Sequence, residues 1–465
     1  MRTDPPRAAV IGAGPSGFYT AEQLLAAGFE VDLIDALPTP YGLVRAGVAP
    51  DHAKIKSVTR MYARIAARPG LRFFGGVEFG RDITRDELLD RFHAVVYAVG
   101  AADDNRLGIP GEDRPGSHPA TEFVAWYNGH PDFADHGFGL SARRAVVIGH
   151  GNVALDVARM LVSDPAELAR TDIADHALRA LVRSAVREVV VLGRRGPAQA
   201  AFTHPELREL GELSRADVLV DPAEAEPDAH SAAWLASGAA GPTARRNVET
   251  LREYARRAPA GKTHRVVLRF ARSPVEILGG ADGSVSGLRI MRNRIEAGAD
   301  GRPRAVPTGE EEVIGCGLVL RSIGYRGRPL PGVPFDGHRG VIRNAGGRVL
   351  GADGAPSPGE YAVGWIKRGP SGVIGTNRKD AADTVARIAE DAAAGALNSP
   401  GRPDAGEVAA WLAGRVPGLV RWDGWEAIDR HEIGLGTPLG RPRVKLVRRS
   451  ELVGVAHGEP GVQTG

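Results

Sequence analysis

Ala8-Ala9-Val10-Ile11-Gly12-Ala13-Gly14-Pro15-Ser16-Gly17 runs from a short apolar segment directly into a G-x-G-x-x-G spacing. Residues 8–11 read as a buried strand, 17–27 as a helix and 30–34 as a second strand, which together form one βαβ unit. The spacing has a physical reason. Gly12 permits the tight turn, Gly14 lets the backbone approach a pyrophosphate, and Gly17 lets helix and strand pack closely; Pro15 and Ser16 complete the fingerprint, and the N-terminus of the helix that follows faces the phosphates. Asp35 ends the second strand, where a carboxylate can accept from the ribose hydroxyls of an adenosine half.

The same pattern returns. Gly149-His150-Gly151-Asn152-Val153-Ala154 follows an apolar strand at 145–148 and opens a helix at 154–161, with alanine in the third position. The next strand, 189–192, ends in Gly193-Arg194-Arg195 where an acid would select NADH. A carboxylate there repels a 2′-phosphate, whereas two guanidiniums form charge-assisted bonds to it, so this second site reads as one for NADPH. With a second fingerprint present, the first reads as an FAD site. The turn-rich Pro38-Thr39-Pro40-Tyr41-Gly42-Leu43 is then placed to wrap a larger ligand. Gly369-Pro370-Ser371-Gly372-Val373-Ile374-Gly375-Thr376-Asn377 precedes a helix expected at 379–394, whose N-terminus can stabilise negative charge on a flavin ring.

Between the fingerprints, 94–100 reads as a strand followed by a polar, Gly- and Pro-containing stretch that marks a domain boundary. The expected organisation is α/β, with two Rossmann-like dinucleotide-binding domains: an FAD domain of residues 1–102 and 320–465, interrupted by an NADP domain of residues 103–319.

Composition narrows the chemistry. The 59 basic and 56 acidic residues nearly balance, so nucleic-acid binding is not indicated. A disulfide needs two cysteines and an iron–sulfur cluster usually about four, so the single Cys316 excludes both, along with a Cys-x-x-Cys redox pair. Cys316 is expected to be a buried strand thiol within 313–320, and no metal motif is evident. The polar N-terminus lacks a secretory pattern and no stretch reaches the roughly 18 apolar residues of a spanning helix, so the expectation is a cytoplasmic protein.

Tyr41-Gly42-Leu43-Val44-Arg45, Gly47-Val48-Ala49-Pro50-Asp51-His52, residues 149–159, Arg194-Arg195-Gly196-Pro197 and Gly364-Trp365-Ile366-Lys367-Arg368-Gly369-Pro370 together resemble the adrenodoxin-reductase-type ferredoxin–NADP reductases of mitochondria and actinobacteria. The resemblance runs over nearly the whole chain and is least clear in the last dozen residues. It implies FAD contacts from Asp35, Leu43, Val77, Trp365, Gly372, Val373 and Ile374, with Gly372 also close to the nicotinamide. For NADPH it implies Gly151, Asn152, Val153, Ala154, Arg194, Arg195 and Glu206, while His52 and Glu209 match the family's polar pair beside the flavin, to which proton handling or nicotinamide orientation is assigned. The family's pyrophosphate-binding arginine is matched only by Arg106, shifted by one residue.

The implied activity is hydride transfer from NADPH to FAD and onward passage of single electrons to a ferredoxin, an acidic iron–sulfur protein that can in turn feed a cytochrome P450. Arg245, Arg252 and Arg256 share a narrow arc of one helix, beside an apolar stripe of Val248, Leu251 and Ala255, in the region of the family's docking helix. A solvated basic face is the alternative reading of that arc. An NADPH-dependent diaphorase or monooxygenase acting on small acceptors is the rival activity, and nothing in the sequence requires more than a monomer.

Overall fold

The computed structural model describes residues 5–298 and 302–459. The chain divides into two compact units, one of residues Met1–Asp103 and Gly324–Gly465, the other of residues Asp104–Ile323.

The first unit is built on a seven-stranded sheet in the order Asn344–Ala345, Arg348–Leu350, Pro356–Ala362, Ala94–Tyr97, Arg7–Ile11, Glu30–Asp35 and Leu71–Gly75. The last five are mutually parallel. Their apolar runs are buried on both faces, as a covered parallel sheet demands. One face carries the helices Pro15–Ala26 and Thr376–Ala393, which bury Phe18, Leu24, Val385 and Ile388; the other is covered partly by the helix Ala405–Arg415 through Val408 and Leu412.

The helix Trp422–Gly436 and the residues after it brace the turn after Tyr41. Glu432, on the helix Trp422–Gly436, is fully buried and receives both Arg45 Nη atoms at 2.8 and 2.5 Å, Arg443 Nη1 at 3.2 Å and the Leu446 amide at 2.9 Å. Burial alone would raise the Glu432 pKa, but Arg45 foremost, then Arg443 and the Leu446 amide, hold it below the ordinary value. Its ionised form therefore stabilises the fold above the unfolded carboxyl pKa, and that contribution disappears as pH falls through the depressed folded value. Arg45→Ala is expected to cost about 3 kcal/mol at neutral pH by stranding part of a buried charge. Urea unfolding at pH 7 and pH 4 checks this: the deficit should shrink at the lower pH.

The second unit has a six-stranded, all-parallel sheet in the order Ser117–Pro119, Leu318–Arg321, Arg144–Ile148, Glu188–Leu192, His264–Arg269 and Ala216–Val220. Leu318–Arg321 lies inside this sheet, which carries the second unit on to Ile323. A three-stranded antiparallel sheet, Arg272–Gly279, Val285–Ala297 and Pro303–Gly315, is appended.

Cys316 is buried, but not within a strand. It occupies the two-residue link between Pro303–Gly315 and Leu318–Arg321, where the chain leaves the antiparallel sheet for the parallel one. A Cβ on the adjoining Gly317 would lie 2.6 Å from Ala142 Cβ, so the link must be bare at that point. Burial, only partly offset by Arg144, pushes the Cys316 thiol up to about 12. The native protein is expected to resist a thiol-reactive disulfide reagent at pH 8 and to react once unfolded; rapid native labelling would contradict this. Among the described residues no helix is long and apolar enough to cross a membrane.

Candidate functional site

In each unit the glycine turn is pinned between strand ends in the same way. Gly12 has φ +111°, and its amide donates to Ile34 O at 2.7 Å; Gly149 has φ +135°, and its amide donates to Leu192 O at 2.8 Å. A Cβ would meet the Ala98 carbonyl oxygen in the first turn and overlap the Ser322 carbonyl oxygen in the second. A Cβ on Gly17 would overlap the Gly12 carbonyl oxygen, while Ala154 is accommodated, buried, at the equivalent place.

Among the helices that begin without a side-chain cap and without an acidic residue in the first turn, three follow the glycine-rich turns: Pro15–Ala26 after Gly14, Asn152–Val162 after Gly151, and Thr376–Ala393 after Gly375. The short helix Arg85–Leu89, by contrast, has a complete Thr84/Glu87 capping box. The three open ends leave amide groups and positive dipole ends for an external anion.

Around the first turn, the residues present fit a flavin dinucleotide. Asp35 accepts from the Ala13 amide at 2.6 Å and the Leu37 amide at 2.8 Å, which aims its carboxylate at the turn and leaves lone pairs for hydroxyl donors. Burial raises the Asp35 pKa, opposed by those two amides and by Arg449. Tyr41 adopts φ +85°, an unusual conformation for a bulky residue, and its amide donates to Ala13 O at 2.8 Å. This brings Gly42 so close to the phosphate turn that a Cβ on it would stand 3.0 Å from Gly14 Cα. The sequence showed the turn-rich loop but not this glycine-to-glycine approach.

Leu43 and Val373 are 42% and 61% exposed, so their apolar surfaces are accessible to a ligand. Trp365, beside Tyr325, has a buried indole Nε1 with no hydrogen-bond partner among the described residues. Gly372 has φ +83°, and Val373 N donates to Thr376 Oγ1 at 3.1 Å, which shapes the turn through Ile374. Val77 packs in the core, and its amide donates to Asp35 O at 2.9 Å, which holds the end of the acid's strand. His52 is half-buried at the start of the helix Ala53–Lys56.

Around the second turn, the guanidiniums of Arg194 and Arg195 are exposed and make no hydrogen bond or ion pair among the described residues. Burial, then the neighbouring charge of Arg194, lowers the Arg195 pKa. Their backbones are fixed: Asn293 Nδ2 donates to Arg194 O at 2.8 Å and the Ala271 amide to Arg195 O at 2.9 Å. His150, in the turn itself, is half-buried and packs against Phe270, and loss of solvent around its ring followed by repulsion from Arg195 depresses it to about 4, so it is neutral at physiological pH. It fills the space that a side chain at Gly193 would need. The sequence offered no signal for this role beyond the histidine's position within the motif.

Asn152 Oδ1 accepts from the Thr203 amide at 2.7 Å, which fixes the start of the helix His204–Leu210. That helix carries Glu206 and Glu209 one turn apart, and Glu209 Oε2 lies 3.8 Å from Arg159 Nη1, whose side chain is buried. Arg106 lies on the surface in an ion pair with Asp113 at 2.6 Å and near Glu112 at 3.6 Å. On the helix Gly241–Arg256, the buried stripe is Ala244, Val248, Leu251 and Tyr254, with Ala255 only half-buried. Arg245 donates to Leu235 O, and Arg252 is paired with Glu226 at 2.5 Å.

A family model described as pyridine nucleotide-disulphide oxidoreductase matches residues 6–195. The NADPH-ferredoxin reductase FprA of Mycobacterium leprae is 50% identical over 458 residues, covering 97% of this chain and 98% of that protein. The mitochondrial NADPH:adrenodoxin oxidoreductase of Bos taurus is 43% identical over 463 residues, covering 96% and 91%. The solved structure of Mycobacterium tuberculosis FprA in complex with NADPH superposes with a TM-score of 0.91 at 48% identity, covering 98% of this chain and all of that one. With two glycine-turn units in one chain and this similarity along its whole length, the chain belongs to the adrenodoxin-reductase-type family of ferredoxin–NADP reductases.

Proposed function

We propose that the protein is an NADPH:ferredoxin oxidoreductase, with FAD held by the first unit, NADPH by the second, and an acidic ferredoxin-type iron–sulfur protein as the electron acceptor. The observation that carries the reading is the pairing of two open phosphate turns in one chain with an uncompensated arginine pair beside the second. The relatives named as ferredoxin and adrenodoxin reductases support the acceptor class. Bound FAD supplies the conversion of a two-electron hydride donation into single-electron transfers.

The protein's own groups do the rest. The amides at the start of Pro15–Ala26 bind the FAD pyrophosphate, Asp35 accepts from the ribose hydroxyls, and Leu43 and Trp365 cover apolar parts of the cofactor. The turn Gly372–Ile374 and the open helix end behind it offset negative charge on the ring. The first turn of Asn152–Val162 binds the NADPH pyrophosphate through residues 151–154, Arg194 and Arg195 take the 2′-phosphate, and Glu206 contacts the rest of the dinucleotide. His52 and Glu209 handle a proton or orient the nicotinamide. Arg106 does not serve the pyrophosphate, because it is held by Asp113 and Glu112 and an anion would have to displace two carboxylates.

The direct test is anaerobic mixing of the purified yellow protein with NADPH or NADH. Fast bleaching of the flavin absorbance by NADPH and slow bleaching by NADH is the expected result; a colourless protein, or equal rates, defeats the cofactor assignment.

Arg245, Arg252 and Arg256 are assigned to docking, in a monomer acting in the cytoplasm. Arg252→Glu is expected to lower the ferredoxin-dependent rate several-fold at low salt and much less at high salt, since a reversed charge meets both an acidic partner and Glu226. An unchanged rate at low salt would remove this helix from the docking surface.

A further inference from the structure

The Asn377 side chain connects two segments of the first unit that lie 361 positions apart in sequence. Its Oδ1 accepts from Ser16 Oγ at 3.0 Å, in the phosphate turn, and from Arg368 Nη2 at 2.9 Å. Its Nδ2 donates to Ile374 O at 3.2 Å, in the turn after Gly372. Arg368 can only donate, so the amide orientation is fixed with Oδ1 toward the guanidinium. Arg368 in turn donates through Nη1 to Ser371 O, and to Ser371 Oγ at 3.1 Å. Asn377 is buried, and a Cβ on Gly364 would overlap Ser16 Oγ, so the approach of the two segments is close as well as bonded.

We propose that Asn377 is a positioning residue for the flavin: its amide ties the pyrophosphate turn, at Ser16, to the ring-binding turn, at Ile374 and through Arg368, and so fixes the separation of the two ends of one cofactor site. The inference rests on the assignment of FAD to this unit. Three hydrogen bonds converge on one buried side chain, one of them charge-assisted, so its removal unpins both turns at once. The bonds to Ser16 and Arg368 keep the dinucleotide from being released, while the bond to Ile374 O holds the turn that sets the position of its ring.

The experiment uses the FAD-loaded full chain. FAD release on dilution is followed by the rise in flavin fluorescence, and bleaching by NADPH is followed by stopped flow. Asn377→Ala is expected to release FAD about tenfold faster, the equivalent of about 1.4 kcal/mol, and to bleach more slowly. Asn377→Asp keeps the acceptor for Ser16 and Arg368 but loses the donor to Ile374 O. It should therefore release FAD at close to the parental rate and still bleach slowly, a split that general destabilisation does not produce. Adding Ser16→Ala to Asn377→Ala should bring little further loss, because the two residues share one bond. If N377A does not accumulate as folded protein, N377D and S16A decide: faster FAD release by S16A together with slow bleaching by N377D supports the role. Release and bleaching rates equal to the parent's in these variants overturn it. A parent protein that carries no flavin overturns the FAD assignment itself, which is a separate outcome.

Discussion

Replacing Arg194 and Arg195 together by alanine is expected to raise the KM for NADPH on the order of a hundredfold and to leave the KM for NADH nearly unchanged. The two guanidiniums stand beside each other with no carboxylate to balance them among the described residues, and burial followed by repulsion from Arg194 lowers the Arg195 pKa. A dianionic 2′-phosphate relieves that repulsion and accepts several hydrogen bonds in the same step. NADH offers no such group, so the arginines give it little. The substitution should leave the fold intact, because the backbone here is held by Asn293 Nδ2 and by the Ala271 amide rather than by the arginine side chains. Steady-state kinetics with both donors provide the check. An equal rise in both KM values would mean that the pair serves the shared part of the dinucleotide, and the origin of NADPH preference would lie elsewhere.

Gly17→Ala is expected to yield a protein that does not retain FAD through purification. The new methyl group would overlap the Gly12 carbonyl oxygen and stand 3.3 Å from Leu33 Cδ1. Neither the Gly12 backbone nor the strand behind it can yield easily, since the Gly12 amide is bonded to Ile34 O and a side chain is already excluded there by the Ala98 carbonyl. The helix must therefore move outward, carrying its N-terminal amides away from the phosphates. Gly434→Ala is the control. It lies inside the helix Trp422–Gly436 with nothing near its Cβ position, so it should keep the flavin and gain up to about 1 kcal/mol of stability. Flavin absorbance per protein in the two purified variants separates the effects. A G17A protein as yellow as its parent would show that the turn tolerates a methyl group and is not shaped by the close packing described here.

The two βαβ units were legible in sequence because their determinants are local. Continuous apolar runs, glycines at fixed offsets and a helix directly behind them specify each turn without help from distant residues. The arginine pair was legible for the same reason: it occupies a fixed place at the end of a strand. The appended antiparallel sheet was not. Its strands carry cross-strand charge pairs such as Arg289 with Glu311 and Arg292 with Glu310, which hide the alternation of apolar residues. Cys316 was foreseen as buried, yet its placement between strands depends on the close passage of Gly317 past Ala142, a contact between distant parts of the chain. Arg106 was read by its position after the strand at 94–97, and its pairing with Asp113 follows from a turn that no motif describes. The bracing of the Tyr41–Arg45 turn by Glu432, and the Ser16–Asn377 connection, join residues hundreds of positions apart and have no local signature.

The most direct test of the central claim is NADPH-driven cytochrome c reduction by the purified protein, with and without a ferredoxin, at low and moderate salt, with NADH as the control donor. A large stimulation by ferredoxin that weakens with salt, and a clear preference for NADPH, is the predicted result. If several acidic ferredoxins give no stimulation while NADPH still bleaches the flavin, the two nucleotide assignments survive and the proposed acceptor is contradicted.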